Sequence, residues 1–123
     1  MKPILIVDDA ATVRMYHRSI LEAAGYAVEE AVNGVEALEK SLQASFGLYV
    51  VDVNMPKLDG YGFLRELRAQ DTFQAPAIMI STEAETNDHK RAYEAGANAY
   101  LVKPVKPDQL LMYAKLLVGD ARL

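Results

Sequence analysis

Leu48-Tyr49-Val50-Val51-Asp52 is the stretch that decides the fold class of this chain. Its four apolar residues predict a short strand that is covered on both faces, as in the centre of a parallel sheet. The run ends in a carboxylate, and burying an unpaired charge in an apolar interior is strongly unfavourable. We therefore expect Asp52 to face a crevice at the end of its strand.

Two other strand-like runs also end in charged residues. Residues 4–7 (ILIV) are followed by Asp8 and Asp9, and residues 100–102 (YLV) are followed by Lys103. Ligands bind at the carboxyl ends of the strands in open α/β sheets, so these groups should meet Asp52 there. Three carboxylates and one ammonium leave a charge of −2, which one Mg²⁺ would neutralise with the oxygen ligands it prefers.

Each of these residues also has a simpler interpretation. Asp8 or Asp9 could cap the first helix, and Asp52 could be a cap or a turn residue. Lys103 could be a solvated surface lysine, and Tyr100 could serve packing alone. Convergence at one end of the sheet favours a shared site over these separate explanations.

The whole chain alternates strand and helix patterns. Strands are predicted at residues 4–7, 27–30, 48–51, 77–80 and 99–102. Helices are predicted at about 12–24, after Asn33-Gly34, at about 61–69, at 85–95 and from Pro107 onward. Five βα units imply an α/β fold of the flavodoxin-like, doubly wound type with a five-stranded parallel sheet. The polar second strand suits an edge, and right-handed crossovers favour the order 2-1-3-4-5.

The predicted helices differ in their apolar content. The second helix carries Val35, Leu38 and Leu42 at helical spacing, which predicts that these three side chains face the core. The fourth helix is polar and has few large apolar residues. We therefore expect the fourth helix to be weakly anchored and able to shift.

Composition narrows the functional classes. The 123 residues fit one domain, 1–123, and no second domain is expected after the fifth helix. A net charge of −4 argues against a nucleic-acid partner. The absence of cysteine excludes disulfides, thiolate zinc sites and cysteine nucleophiles, and it fits a cytoplasmic location. No uncharged run approaches the roughly 18 residues of a bilayer span, so no membrane association is expected.

The sequence resembles response-regulator receiver domains of the stand-alone, CheY-like type. Five segments carry the resemblance, and together they are specific although each is weak alone. They are residues 4–9 (ILIVDD), 31–38 (AVNGVEAL), 51–60 (VDVNMPKLDG), 78–81 (IMIS) and 96–104 (GANAYLVKP). The resemblance implies a phospho-accepting response regulator of a two-component system rather than an enzyme acting on external substrates.

The resemblance also implies roles for the charged residues. Asp52 corresponds to the acceptor of a phosphoryl group from a sensor histidine kinase. Asp9 and Asp52, with the backbone carbonyl of Asn54, correspond to the direct Mg²⁺ ligands, and Asp8 to an acid that holds the ion through water. Lys103 corresponds to the lysine that pairs with the phosphoryl group.

Two further residues correspond to the switch of the family. The hydroxyl of Ser81 would move to bind the phosphoryl group, and the rotamer of Tyr100 would report the active state. Ser81 is preferred over its neighbour Thr82 because it directly follows the strand. The resemblance also implies a cis Lys103-Pro104 peptide bond, which is found at about 5% of X-Pro bonds in folded proteins.

The expected output is a change in partner binding at helix four, strand five and helix five. The partner would be a flagellar motor switch or a phosphorelay component. Asn54 and Glu83 stand at positions that tune dephosphorylation in the family, and their identity resembles the chemotaxis type. The resemblance therefore favours chemotaxis-type signalling with a short-lived phosphoryl state.

Two other functions on the same fold fit less well. A Mg²⁺-dependent phosphatase usually has a second acid two residues after its nucleophile, where this chain has Asn54. A nucleotide or flavin carrier needs a phosphate-binding loop after the first strand. The loop here, Asp8-Asp9-Ala10-Ala11, is acidic and would repel phosphate without a metal ion.

Overall fold

A computed structural model describes residues 1–121, which form five strands and five helices in strict alternation. The strands are β1 (Ile4–Val7), β2 (Val28–Ala31), β3 (Leu48–Asp52), β4 (Ala77–Ser81) and β5 (Ala99–Val102). The helices are α1 (Ala11–Ala23), α2 (Gly34–Gln43), α3 (Gly60–Ala69), α4 (Thr86–Ala95) and α5 (Pro107–Val118).

The strands form one parallel sheet in the order β2-β1-β3-β4-β5. This confirms the predicted flavodoxin-like fold and its strand order. Val7 pairs with Val51 and Ser81 pairs with Val102, so the carboxyl ends of β1, β3, β4 and β5 lie at one edge of the sheet. β2 lies at the side edge of the sheet, as its polar sequence predicted.

Helices cover both faces of the sheet and create two apolar clusters. One cluster joins β-strand side chains to α2, α3 and α4, with Phe63 and Leu64 of α3 fully buried. The other joins the opposite face to α1 and α5 through Leu21 and Leu110. Because the central strands are buried on both faces, they read as continuous apolar runs in the sequence.

The predicted inner face of α2 is wrong for Val35 and Leu42, whereas Leu38 packs against the core as predicted. Leu42 is 71% exposed and Val35 is also exposed, whereas Gly34, Ala37 and Ser41 are the buried residues. A β-carbon on Gly34 would lie 2.5 Å from the Leu58 carbonyl oxygen. This close approach to the β3–α3 loop admits only small side chains at the point of contact, and Val35 and Leu42 lie on the outside.

Strand and helix bounds differ from the predictions by a residue or so. β2 begins at Val28, one residue later than predicted. β3 and β4 each extend by one residue, so that Asp52 and Ser81 are the last residues of their strands rather than the first residues of loops. Their backbones are therefore held by the sheet, which limits their freedom.

α4 has a small buried surface, as its polar sequence predicted. Its buried residues are Ala92 and Ala95, and alanine offers little area for apolar contact. Its C-terminal end is closed by Gly96 in the left-handed conformation, whereas Glu85 at its N-terminal end makes no side-chain cap. None of the helices in residues 1–121 is both long enough and apolar enough to cross a bilayer.

Gly60 is expected to tolerate no side chain. A β-carbon there would lie 2.5 Å from the Asp52 carbonyl oxygen and 3.0 Å from Met79 Sδ. Gly60→Ala should lower the free energy of unfolding by about 1–3 kcal/mol, the usual cost of overpacking, as measured by urea denaturation. Arg65→Ala, an exposed position on the same helix, should change it by less than about 0.5 kcal/mol. Equal stability of the Gly60→Ala variant and the wild type would contradict this close packing.

Candidate functional site

Three carboxylates meet at the carboxyl edge of the sheet. One oxygen from each of Asp8, Asp9 and Asp52 can be chosen so that all lie within 4.8 Å of one another. Asp8 and Asp52 are buried, whereas Asp9 is exposed at the mouth of the cluster. The structure thus brings together the three acids that the sequence predicted to converge, with one side open to solvent.

Lys103 completes the cluster from the neighbouring β5 side. Its Nζ atom lies 2.7 Å from Asp52 Oδ1 and 3.5 Å from Asp8 Oδ2. The Lys103 backbone N–H donates to the Ser81 carbonyl oxygen, and the following Lys103-Pro104 peptide bond is cis, as the resemblance implies. Lys103 is therefore a partner of buried acids, and the interpretation as a solvated surface lysine is wrong.

Burial and charge shift the proton affinity of this pair. Burial raises the pKa of Asp52, Asp8 and Asp9 raise it further, and Lys103 opposes them. Burial lowers the pKa of Lys103, but its bonds and attraction to Asp52 and Asp8 outweigh this and raise the pKa above its ordinary value. Lys103 therefore stays a cation, whereas ionised Asp52 is held at a cost to the folded state.

Neither Asp8 nor Asp9 caps α1. The cap position is Ala10, which has no side-chain bond, and Asp8 Oδ1 instead accepts from the Ala10 backbone N–H at 2.9 Å. The Asp8 backbone carbonyl oxygen accepts from Arg14 Nη1 at 2.7 Å. These bonds orient Asp8 with its other carboxylate oxygen toward Lys103, so its position serves the cluster rather than the helix terminus.

The β3–α3 loop turns sharply beside the cluster. The Gly60 N–H donates to the Val53 carbonyl oxygen at 2.9 Å, and Asp59 caps α3 by accepting from the Gly62 N–H at 2.8 Å. Asn54 is exposed at the start of this loop, two residues after Asp52. The turn therefore begins within two residues of the acidic cluster.

Ser81 and Tyr100 are both bound to the peptide groups of Glu83. Ser81 is fully buried, and its Oγ accepts from the Glu83 N–H at 3.1 Å. The Tyr100 hydroxyl donates to the Glu83 carbonyl oxygen at 2.7 Å, and its side chain is buried. Thr82, the alternative to Ser81, is exposed. The structure therefore places Ser81 within the sheet edge and Tyr100 in an inward position.

Two histidines near these residues were missed by the sequence analysis. His89 of α4 lies with its ring centroid 4.2 Å from that of Tyr100. His17 of α1 is buried and lines a surface cavity of about 380 Å³ beside Lys103. Burial lowers the pKa of His17, with Asp8 opposing and Lys103 adding to the effect. The one sequence signal for His17 is its place on the apolar face of α1, beside residues such as Leu21. No sequence pattern marks His89.

Asp52→Asn should stabilise the protein in the absence of metal. A raised folded-state pKa means that this carboxyl contributes stability at low pH and loses it as pH rises through that pKa. In EDTA at pH 7 the variant should be more stable on the order of 1 kcal/mol, measured by urea denaturation. This gain in stability should vanish as pH falls below 3.8, the ordinary pKa of an aspartate.

Asp71→Asn is the matched control, because Asp71 is exposed just beyond the far end of α3. Its stability should follow that of the wild type across the same pH range. An Asp52→Asn variant that is less stable than the wild type at pH 7 would show that the Lys103 bond outweighs burial.

Comparison with known proteins extends these observations. The response regulator receiver domain model matches residues 4–115. The transcriptional regulatory protein ResD of Bacillus subtilis is 37% identical over 118 residues, which cover 96% of this chain and 48% of ResD. The chain thus spans about half the length of this relative.

Solved structures of similar length match the whole fold. The chemotaxis protein CheY4 of Vibrio cholerae is 36% identical with a TM-score of 0.89, over 95% of this chain and 98% of CheY4. The receiver domain of the sensor histidine kinase PA1611 of Pseudomonas aeruginosa, described with a magnesium ion in its active-site cleft, is 29% identical with a TM-score of 0.88, over 96% of this chain and 98% of that one. The acidic cluster, the strand order and the match over residues 4–115 together show that this chain belongs to the response regulator receiver domain family.

Proposed function

We propose that Asp52 accepts a phosphoryl group from a sensor histidine kinase in a Mg²⁺-dependent reaction. One observation carries the proposal: the carboxylate of Asp52 lies among two other acids within 4.8 Å and is bound by an ammonium group at 2.7 Å. A carboxylate can act as a nucleophile toward phosphorus. The cluster provides the charge and the hard oxygen ligands that such a transfer requires.

The donor set fits Mg²⁺. The residues that would hold the ion are Asp9, Asp52 and the backbone carbonyl of Asn54, with Asp8 acting through water. Carboxylate and carbonyl oxygens with an open side for water match the preference of this cation. When bound, Mg²⁺ supplies positive charge next to the oxygens of the transferred group. The relative PA1611 is described with this ion in its cleft.

The transfer can be written with the residues of this chain. An Asp52 carboxylate oxygen attacks phosphorus, the bond between phosphorus and the kinase histidine nitrogen breaks, and that nitrogen keeps the electron pair. Lys103 exchanges its bond with Asp52 Oδ1 for one with a phosphoryl oxygen. The ion pair with Asp52 holds the Lys103 ammonium next to the reacting atoms, where both side chains are largely shielded from water and the charge is weakly screened.

The switch involves Ser81 and Tyr100. To bind the phosphoryl group, the Ser81 hydroxyl would rotate away from the Glu83 N–H that now donates to it. This exchange would loosen the β4–α4 loop and change the surface of α4, β5 and α5. The output would then be altered binding to a partner protein of the chemotaxis or phosphorelay kind, consistent with the similarity to CheY4.

Labelling with a small phosphoryl donor tests the proposal. With Mg²⁺ and phosphoramidate, the intact mass of the wild type should rise by one phosphoryl group, and EDTA should prevent this. Asp52→Asn should show no increase. Lys103→Ala should be labelled more slowly, whereas Lys106→Ala, an exposed lysine in the same loop, should behave like the wild type. An unlabelled wild type, or labelling that persists in Asp52→Asn, would exclude Asp52 as the acceptor.

Asp9→Ala should weaken Mg²⁺ binding, because a hard cation loses a charged oxygen ligand. We expect the dissociation constant to rise more than about tenfold, equivalent to about 1.4 kcal/mol. The chain contains no tryptophan, so binding is best followed by calorimetry. Asp71→Ala removes an exposed carboxylate outside the cluster and should leave the dissociation constant unchanged. Unchanged Mg²⁺ affinity in Asp9→Ala would remove Asp9 from the ligand set.

A further inference from the structure

We propose that His89 is a positioning residue that holds Tyr100 in its buried position and couples it to α4. The inference rests on the proposed function only in taking Tyr100 as part of the switch. The ring centroids of His89 and Tyr100 are 4.2 Å apart, with 39° between the ring planes. This separation is at the short end of the range in which aromatic pairs attract.

Tyr100 is held at two points of its side chain. Its hydroxyl donates to the Glu83 carbonyl oxygen at 2.7 Å, which fixes the far end of the ring. The ring itself needs contacts on its faces to remain buried, and His89 supplies an aromatic one from α4. Tyr100 is 6% exposed in this arrangement. Removal of the His89 ring would open a path to solvent while leaving the hydroxyl acceptor in place.

The anchorage of α4 explains why this single contact matters. The buried residues of the helix are two alanines near its C-terminal end. That end is also tied by Arg68, whose Nε and Nη2 donate to the Gly96 carbonyl oxygen at 3.1 and 2.9 Å. His89 lies in the N-terminal half, which has no side-chain cap. Displacement of that half would carry His89 away from Tyr100.

A second ring contact of α4 has a different partner. Arg91 lies over the ring of Tyr61 on α3 at 4.1 Å, and so it joins α4 to α3 rather than to β5. Of the ring contacts described for α4, only that of His89 therefore reaches the Tyr100 side chain. A displacement of α4 should therefore change the population of the buried Tyr100 rotamer, and a change of that rotamer should shift α4.

Fluorine NMR of protein labelled with 3-fluorotyrosine tests this coupling. The chain has seven tyrosines, and the resonance lost in Tyr100→Phe assigns Tyr100. The solvent isotope shift of that resonance increases as the ring becomes exposed to water. In His89→Ala, the ratio of buried to exposed Tyr100 should fall about threefold to tenfold, which corresponds to the interaction free energy of one aromatic pair. His89→Phe, which keeps a ring, should restore the wild-type ratio.

Lys90→Ala is the control for a general effect on α4. Lys90 is exposed and its ion pair is with Glu94 on the same helix, so the Tyr100 resonance should not change. If the solvent isotope shift of the Tyr100 resonance in His89→Ala equals that of the wild type, the proposal is overturned. This holds even if the thermal midpoint falls, because His89 would then contribute to stability without positioning Tyr100. The measurement uses no Mg²⁺ and no phosphoryl donor. Its outcome is therefore separate from whether Asp52 accepts a phosphoryl group.

Discussion

The ion pair between Lys103 and Asp52, 2.7 Å long, is the interaction on which the rest of the site depends. Three acids at one sheet edge repel one another, and two of them are buried. Removing Lys103 would leave both buried acids without a cation, and an unpaired buried charge is costly. Lys103 therefore makes the acidic cluster compatible with folding. The cluster still carries a net negative charge, which a bound cation would neutralise.

The same lysine connects the acidic cluster to the two residues proposed as the switch. Lys103 follows β5, which carries Tyr100, and its N–H is bonded to the Ser81 carbonyl oxygen at the end of β4. Ser81 and Tyr100 both bind the peptide groups of Glu83, one from each side. Switching in such an arrangement is an exchange among existing hydrogen bonds. Small differences in free energy would suffice for that exchange, and α4, whose buried residues are two alanines, is the element proposed to respond.

Much of the fold could be read from local patterns. Apolar runs predicted β1, β3, β4 and β5, and the regular alternation with helices predicted the polar β2, whose polarity placed it at an edge of the sheet. The charged residues Asp8, Asp9, Asp52 and Lys103 could be placed together because the parallel order brings strand ends to one edge. The face of α2 could not be predicted, because apolar spacing does not reveal that Gly34 must approach the Leu58 carbonyl closely. There, space rather than hydrophobicity selects the buried side chains.

The sequence by itself determined the alternation of strands and helices and the acidic character of the site, since these follow from local apolar patterns and from the charges at strand ends. The strand order followed once the polar second strand was placed at an edge and the crossovers were taken as right-handed. Through its resemblance to a family, the sequence also identified Ser81 and Tyr100 as candidate switch residues. Only the tertiary structure decided that Tyr100 points inward, that Ser81 binds the Glu83 N–H, and that His89 covers the Tyr100 ring. Ser81 and Glu83 are only two residues apart, but both Tyr100 contacts join elements that lie apart in the chain. They depend on how α4 packs against β5, which no local pattern of residues encodes.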